Sequence, residues 1–178
     1  ASLMSIINYS KEKELRIKAL NNNGKGCMKS FCKELMQSKL NEKDLILDAL
    51  NFAESIEYHH EGLSKETYLA HPLRVASMSL RYINDITQNL VVLALLHNIF
   101  EVGKVSSQIV DERFGTIIKD SISILTVKRE LQWNREYKEE YYSKIKSFSG
   151  PTMEIKILDK FDNIFVIGLN PNEEVRLK

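Results

Sequence analysis

The chain has 178 residues, with 25 Lys and Arg against 24 Asp and Glu and a formal net charge of +1. That length supports one domain with a sizeable core, and the balanced charge gives no global pull toward nucleic acid or a membrane surface. Three prolines and seven glycines favour long helices over many-turned β structure. No apolar run reaches the ~18 residues of a membrane span. The charged stretch at residues 11–14 follows no signal-peptide core, so the cytoplasm is the expected location. Cys27 and Cys32 lack the spacing of a redox or zinc C-x-x-C pair and are expected as free, buried or half-buried thiols.

Residues 10–20 carry helical charge spacing, and the Asn- and Gly-rich run 21–26 is expected to break the chain. Helical patterning resumes over 28–40. The first forty residues read as a helical extension, with the main domain at 41–178. Residues 41–44 are expected to cap the next helix, with Asp44 at its third position. That helix carries Leu45, Leu47, Ala49, Leu50, Phe52, Ala53 and Ile56, and is expected to end near His59 and His60, with Gly62 as terminator. Pro72 is expected in the first turn of another helix, with Leu73, Ala76, Leu80 and Ile83 at helical spacing behind it.

After a turn at 84–87, a very apolar helix is expected from Gln88 to Glu101, closed by Gly103. Ser106 and Ser107 suit the cap of a helix that Gly115 ends. Ile117, Ile118, Ile122 and Leu125 continue on another. Trp133, Tyr137, Tyr141 and Ile145 are spaced as one packed stripe of a helix over 128–146. A turn at 149–151 precedes the last strong helix, 153–167, and 169–174 starts one more. Period-two β-branched runs are nearly absent. The expected fold is all-α, a single-domain helical bundle.

Four positions stand apart chemically. His71 opens one helix, His97 and Asn98 end the most apolar one, and Asp159 lies within an apolar run. Polar groups in such places cost free energy unless paired or ligated. Two imidazoles with carboxylate or amide oxygens suit a divalent transition metal, which can activate water for attack on a phosphoryl group. Each has an ordinary reading when taken singly: a capping histidine, a hydrogen-bonded core pair, a solvated aspartate between Lys156 and Lys160. Glu101, four residues after His97, shares its helical face and is an ordinary surface carboxylate on the same terms.

Taken together they form a pattern. The runs Tyr68-Leu69-Ala70-His71-Pro72-Leu73-Arg74-Val75-Ala76, Leu95-Leu96-His97-Asn98-Ile99-Phe100-Glu101, Phe114-Gly115 and Lys156-Ile157-Leu158-Asp159-Lys160-Phe161-Asp162-Asn163 occur in that order. They resemble the hydrolase domain of the RelA/SpoT family and its stand-alone relatives, the small alarmone hydrolases and the metazoan SpoT homologue. These are HD-superfamily helical phosphohydrolases. The resemblance covers roughly residues 43–167. It implies an HD-type bundle holding a manganese ion on His71, His97, Asn98 and Asp159. It gives Glu101 the handling of the attacking water. It places Tyr68 and Asn163 against the nucleotide. The implied reaction removes pyrophosphate from the 3′ position of (p)ppGpp, and some relatives act on NADPH.

Three departures accompany the resemblance. Asn98 stands where the family has aspartate; an amide oxygen can ligate a hard cation but brings no charge. Val102 stands where a second acid usually follows the glutamate. The basic loop before His71 is short, which leaves Lys65 as the residue expected to grip base or phosphate. Two functions follow as expectations: a divergent, weakened metal-dependent nucleotide pyrophosphohydrolase, or an inactive HD-like domain that binds a nucleotide or protein partner in a regulatory role.

Overall fold

The computed structural model describes residues 7–20, 23–59, 65–148 and 150–168. Over these, the helices are α1 (Tyr9–Leu20), α2 (Asn23–Gln37), α3 (Asp44–Ser55), α4 (Lys65–Tyr82), α5 (Gln88–Leu96), α6 (Ile99–Val102), α7 (Ser107–Phe114), α8 (Thr116–Leu125), α9 (Arg135–Phe148) and α10 (Gly150–Gly168). A 3-10 turn, Arg129–Leu131, lies between α8 and α9. The only β pairing among the described residues is one isolated bridge, Tyr58 to Gly103. The fold is all-α, as expected, and no helix among the described residues is long and apolar enough to cross a membrane.

α5 is buried on every side: each residue from Leu90 to Leu96 is enclosed. A helix apolar all round belongs at the centre of a bundle, and α3, α4, α8 and α10 pack against this one. Each buried Leu or Val contributes about 1.5–3 kcal/mol of transfer free energy. Thr87 caps α5 by accepting from the Leu90 amide at 3.2 Å. α2 packs along α4 and adds Cys27, Phe31 and Leu35 to the same core. Both cysteines are free thiols, Cys27 buried and Cys32 half-buried.

The α1–α2 segment is tied to α4 by charge as well as by packing. Arg81 reaches Glu34 at 2.7 Å and Glu12 at 2.6 Å, and Tyr82 donates to the same Glu12 oxygen at 2.7 Å. Glu12 is wholly buried.

Several local expectations are corrected. α2 begins at Asn23, so Gly24 and Gly26 lie in its first turn and do not break the chain there; burial of Phe31 and Leu35 outweighs weak glycine propensity. Asp44 is the first residue of α3, not the third, and its cap Lys43 makes no side-chain capping bond. α3 ends at Ser55 rather than near His59, because Ile56 turns extended and the His59 amide donates to Val102 at 2.9 Å. Gly62 lies outside the described residues.

Pro72 lies inside α4, beyond its first turn. It cannot donate to the Tyr68 carbonyl, a cost of about 3 kcal/mol or more that burial of Leu73, Val75 and Ala76 helps to offset. The helix expected over 88–101 is broken at His97 and Asn98 into α5 and α6. The aromatic stripe is also shorter than expected. Tyr141 and Ile145 are buried in α9, but Trp133 precedes that helix and is exposed. Gly150 and Pro151 open α10 instead of forming a turn, while residues 169–174 lie outside the described residues. Ser106 caps α7 as expected, and Gly115 separates α7 from α8 at φ +89°.

Three substitutions test these contacts through their effect on stability. Arg81→Ala removes the guanidinium paired with the buried Glu12 carboxylate and is expected to lower unfolding free energy by about 3 kcal/mol, read as a lower urea midpoint at unchanged m-value. Arg135→Ala, in an exposed pair with Glu139, should leave the midpoint unmoved. Gly115→Ala meets no neighbour within 4 Å yet forces a side chain onto a glycine-type backbone. It is expected to cost about 1–3 kcal/mol in the same measurement.

Candidate metal centre

α4, α5 and α10 each send one polar side chain to a common point. His71 comes from mid-α4, His97 from the residue that ends α5, and Asp159 from mid-α10. His71 Nε2 lies 3.2 Å from His97 Nε2 and 3.0 Å from Asp159 Oδ1, and His97 Nε2 lies 3.6 Å from that same oxygen. One ligand atom from each residue falls within 4.8 Å of the other two.

The outer nitrogens fix the tautomers. His97 Nδ1 lies 2.7 Å from the Ala94 carbonyl. That carbonyl can only accept, so Nδ1 carries the proton. His71 Nδ1 meets Asp162 Oδ2 at 2.7 Å and donates to it in the same way. In the neutral rings both Nε2 lone pairs therefore face the common point, the arrangement of metal-ligating histidines. Asp162 is itself clamped by Arg74, with Nε and Nη2 at 3.0 and 3.1 Å from its two oxygens.

The charges at this point shift one another's proton affinities. Burial opposes a charge on His71, but its hydrogen bonds to Asp159 and Asp162 outweigh burial and push its pKa up to about 9. Burial would raise the Asp159 pKa, yet bonds from His71 and His97, the His97 charge and Lys156 together hold it well below the usual carboxylate range. Lys156 Nζ stands 2.9 Å from Asp159 Oδ2 and 5.3 Å from the Tyr141 ring centre. Burial opposes its charge too, and Asp159 more than compensates, raising its pKa.

The donor set fits a divalent transition metal: two imidazole nitrogens and a carboxylate oxygen with their outer atoms held. Asn98 adds a second observation. It occupies the cap position of α6 but makes no side-chain cap bond, and its Oδ1 is buried without a hydrogen-bond partner. A buried orphan acceptor is costly, and Asn98 lines the same cavity as the triad.

That cavity has a volume of about 560 Å³, within the range of small-molecule sites. Glu101 lines it, with Oε1 accepting from the Val127 amide at 2.7 Å. Tyr68 lines it beside Tyr58, ring centres 5.2 Å apart, and Arg129 Nη2 donates to the Tyr68 hydroxyl at 3.3 Å. Asn163 lines it and donates to Asp159 Oδ1 at 3.1 Å. Lys65 differs: it is exposed at the start of α4 and does not line the cavity.

Sequence reasoning passed over Asp162, Arg74 and Lys156 as site residues. A signal was present. Arg74 follows His71 by three, and Lys156 and Asp162 flank Asp159 by three on each side, so each shares a helical face with a candidate ligand.

No family model and no curated protein sequence matches the chain. The chain is similar to the solved structure of a metazoan orthologue of SpoT that hydrolyses ppGpp and plays a role in starvation responses. The TM-score is 0.60 at 19% identity, over 76% of this chain and 79% of that one. At that identity the likeness shows the fold alone: the chain shares the helical architecture of that structure.

Proposed function

We propose that the chain is a metal-dependent phosphohydrolase of nucleotide pyrophosphates, of the (p)ppGpp 3′-pyrophosphohydrolase kind, weakened by Asn98. The convergence of His71 Nε2, His97 Nε2 and Asp159 Oδ1 on one point carries this reading. The orphaned Asn98 Oδ1 supports it as a fourth ligand. A divalent cation held there, with manganese preferred, would polarise a phosphoryl oxygen and acidify a water.

The remaining work falls to this chain's own groups. Asp162 keeps the His71 proton on Nδ1, and Ala94 keeps that of His97 on Nδ1. Glu101, with one oxygen fixed by Val127, is placed to accept the proton of the attacking water. Lys156 sets a positive charge beside Asp159, where a phosphate would bring negative charge. Tyr68 and Asn163 contact the nucleotide. (p)ppGpp is the substrate proposed first, and NADPH is the other nucleotide to be assayed.

A second reading is an inactive HD-like domain that binds a nucleotide or protein partner in a regulatory role. The ion pair between Lys156 and Asp159 favours it, since the triad's single carboxylate already has a cationic partner and Asn98 supplies no charge.

Protein purified with manganese is expected to hold one metal ion per chain by elemental analysis and to release pyrophosphate slowly from ppGpp. Asn98→Asp should tighten manganese binding about tenfold or more, because it adds ligand charge, and should raise turnover. Wild type with neither metal nor turnover, and no rescue by Asn98→Asp, would leave the inactive reading standing. Asp162→Asn keeps the shape of the partner of His71 but removes its charge. It is expected to weaken manganese affinity about 10–100-fold, measured by titration against a competing chelator with folding checked by circular dichroism.

A further inference from the structure

The cavity that contains the triad has a second wall of different chemistry. It is built by the 3-10 turn Arg129–Leu131 and the start of α9, and Arg129, Trp133, Tyr137, Lys138 and Tyr142 all face the cavity from it. The chain's single tryptophan is 83% exposed here. Tryptophan is the side chain that gains most from burial, so its position on a cavity wall, open to water, calls for an occupant.

Its backbone is held on both sides. The Lys128 amide donates to the Tyr137 hydroxyl at 2.8 Å, and the Asn134 amide donates to the Leu131 carbonyl at 2.9 Å. Asn134 Oδ1 then caps α9 by accepting from the Tyr137 amide at 2.9 Å. The indole is therefore presented on a fixed turn. Lys138 Nζ sits 5.4 Å from its ring centre, within cation–π reach. From α10, Lys160 also lines the cavity, one residue after Asp159.

We propose that Trp133 and Lys138 form a base-stacking wall. The nucleobase of a phosphorylated nucleoside would lie on the indole, with its phosphates running past Lys138 and Lys160 toward the triad. The inference deepens, and rests on, the metal-dependent phosphohydrolase reading. An aromatic face accepts any nucleobase, cations beside it select for attached phosphates, and the triad lines the same cavity. A phosphate ion alone would leave the indole in water, whereas a nucleoside alone would leave the lysines unpaired.

The single tryptophan supplies the probe. Manganese-loaded protein is titrated with GDP and, separately, with inorganic pyrophosphate, following tryptophan emission. GDP is expected to change the emission saturably, and pyrophosphate to leave it unchanged. By equilibrium dialysis, Trp133→Ala should weaken GDP binding about tenfold or more, Trp133→Phe should retain most of it, and Lys138→Ala should weaken it less than Trp133→Ala. Metal content and circular dichroism report whether each variant is folded.

Trp133→Ala binding GDP as tightly as folded wild type would overturn the wall while the phosphohydrolase reading stands. An equal emission change with pyrophosphate would overturn it as well. Wild type that binds neither manganese nor GDP would overturn both.

Discussion

The arrangement of this molecule follows from one helix that has no polar side. Seven consecutive apolar residues of α5 must be kept from water in every direction, so α3, α4, α8 and α10 surround them. The polar groups of the candidate site cannot enter that helix except at its end. His97 is the first residue past Leu96, and there the helix stops and turns. The break puts an imidazole at the edge of the apolar column, where α4 and α10 bring their own polar side chains.

What keeps those polar groups tolerable is mutual satisfaction. Asp159 serves two imidazoles, a lysine and an asparagine amide. Asp162 serves His71 and Arg74. Each carboxylate is buried, and each would be costly alone. Asn98 Oδ1 is the exception among the described residues. The same packing that satisfies its neighbours leaves this oxygen without a donor, on the residue next to His97.

The cavity joins two kinds of charge. Around the triad, carboxylates are balanced against imidazoles and Lys156. Its lining also carries Arg129, Lys138 and Lys160 with exposed aromatic surface. The lining therefore combines carboxylates, cations and aromatic rings around one cavity.

The all-α architecture was legible in the residues. Helical spacing is local, and the continuous apolar run 90–96 belongs at the centre of a core. His71, His97, Asn98 and Asp159 were also legible as candidates, since polar residues embedded in apolar runs stand out in one dimension. Element ends were less so. Where α3 stops was decided by a bond from His59 to Val102, and where α4 starts by burial that overrides a proline.

Only the tertiary structure could decide how the site is held. Asp162 and Arg74 read as ordinary helix charges until α4 and α10 are placed together, 88 residues apart along the chain. Trp133 fits a packed stripe by spacing, yet it stands in water because its turn precedes the helix that buries Tyr141. Sequence period records which face of a helix a residue occupies. It does not record which face of another helix comes to meet it, and that meeting fixes each partner and each charge.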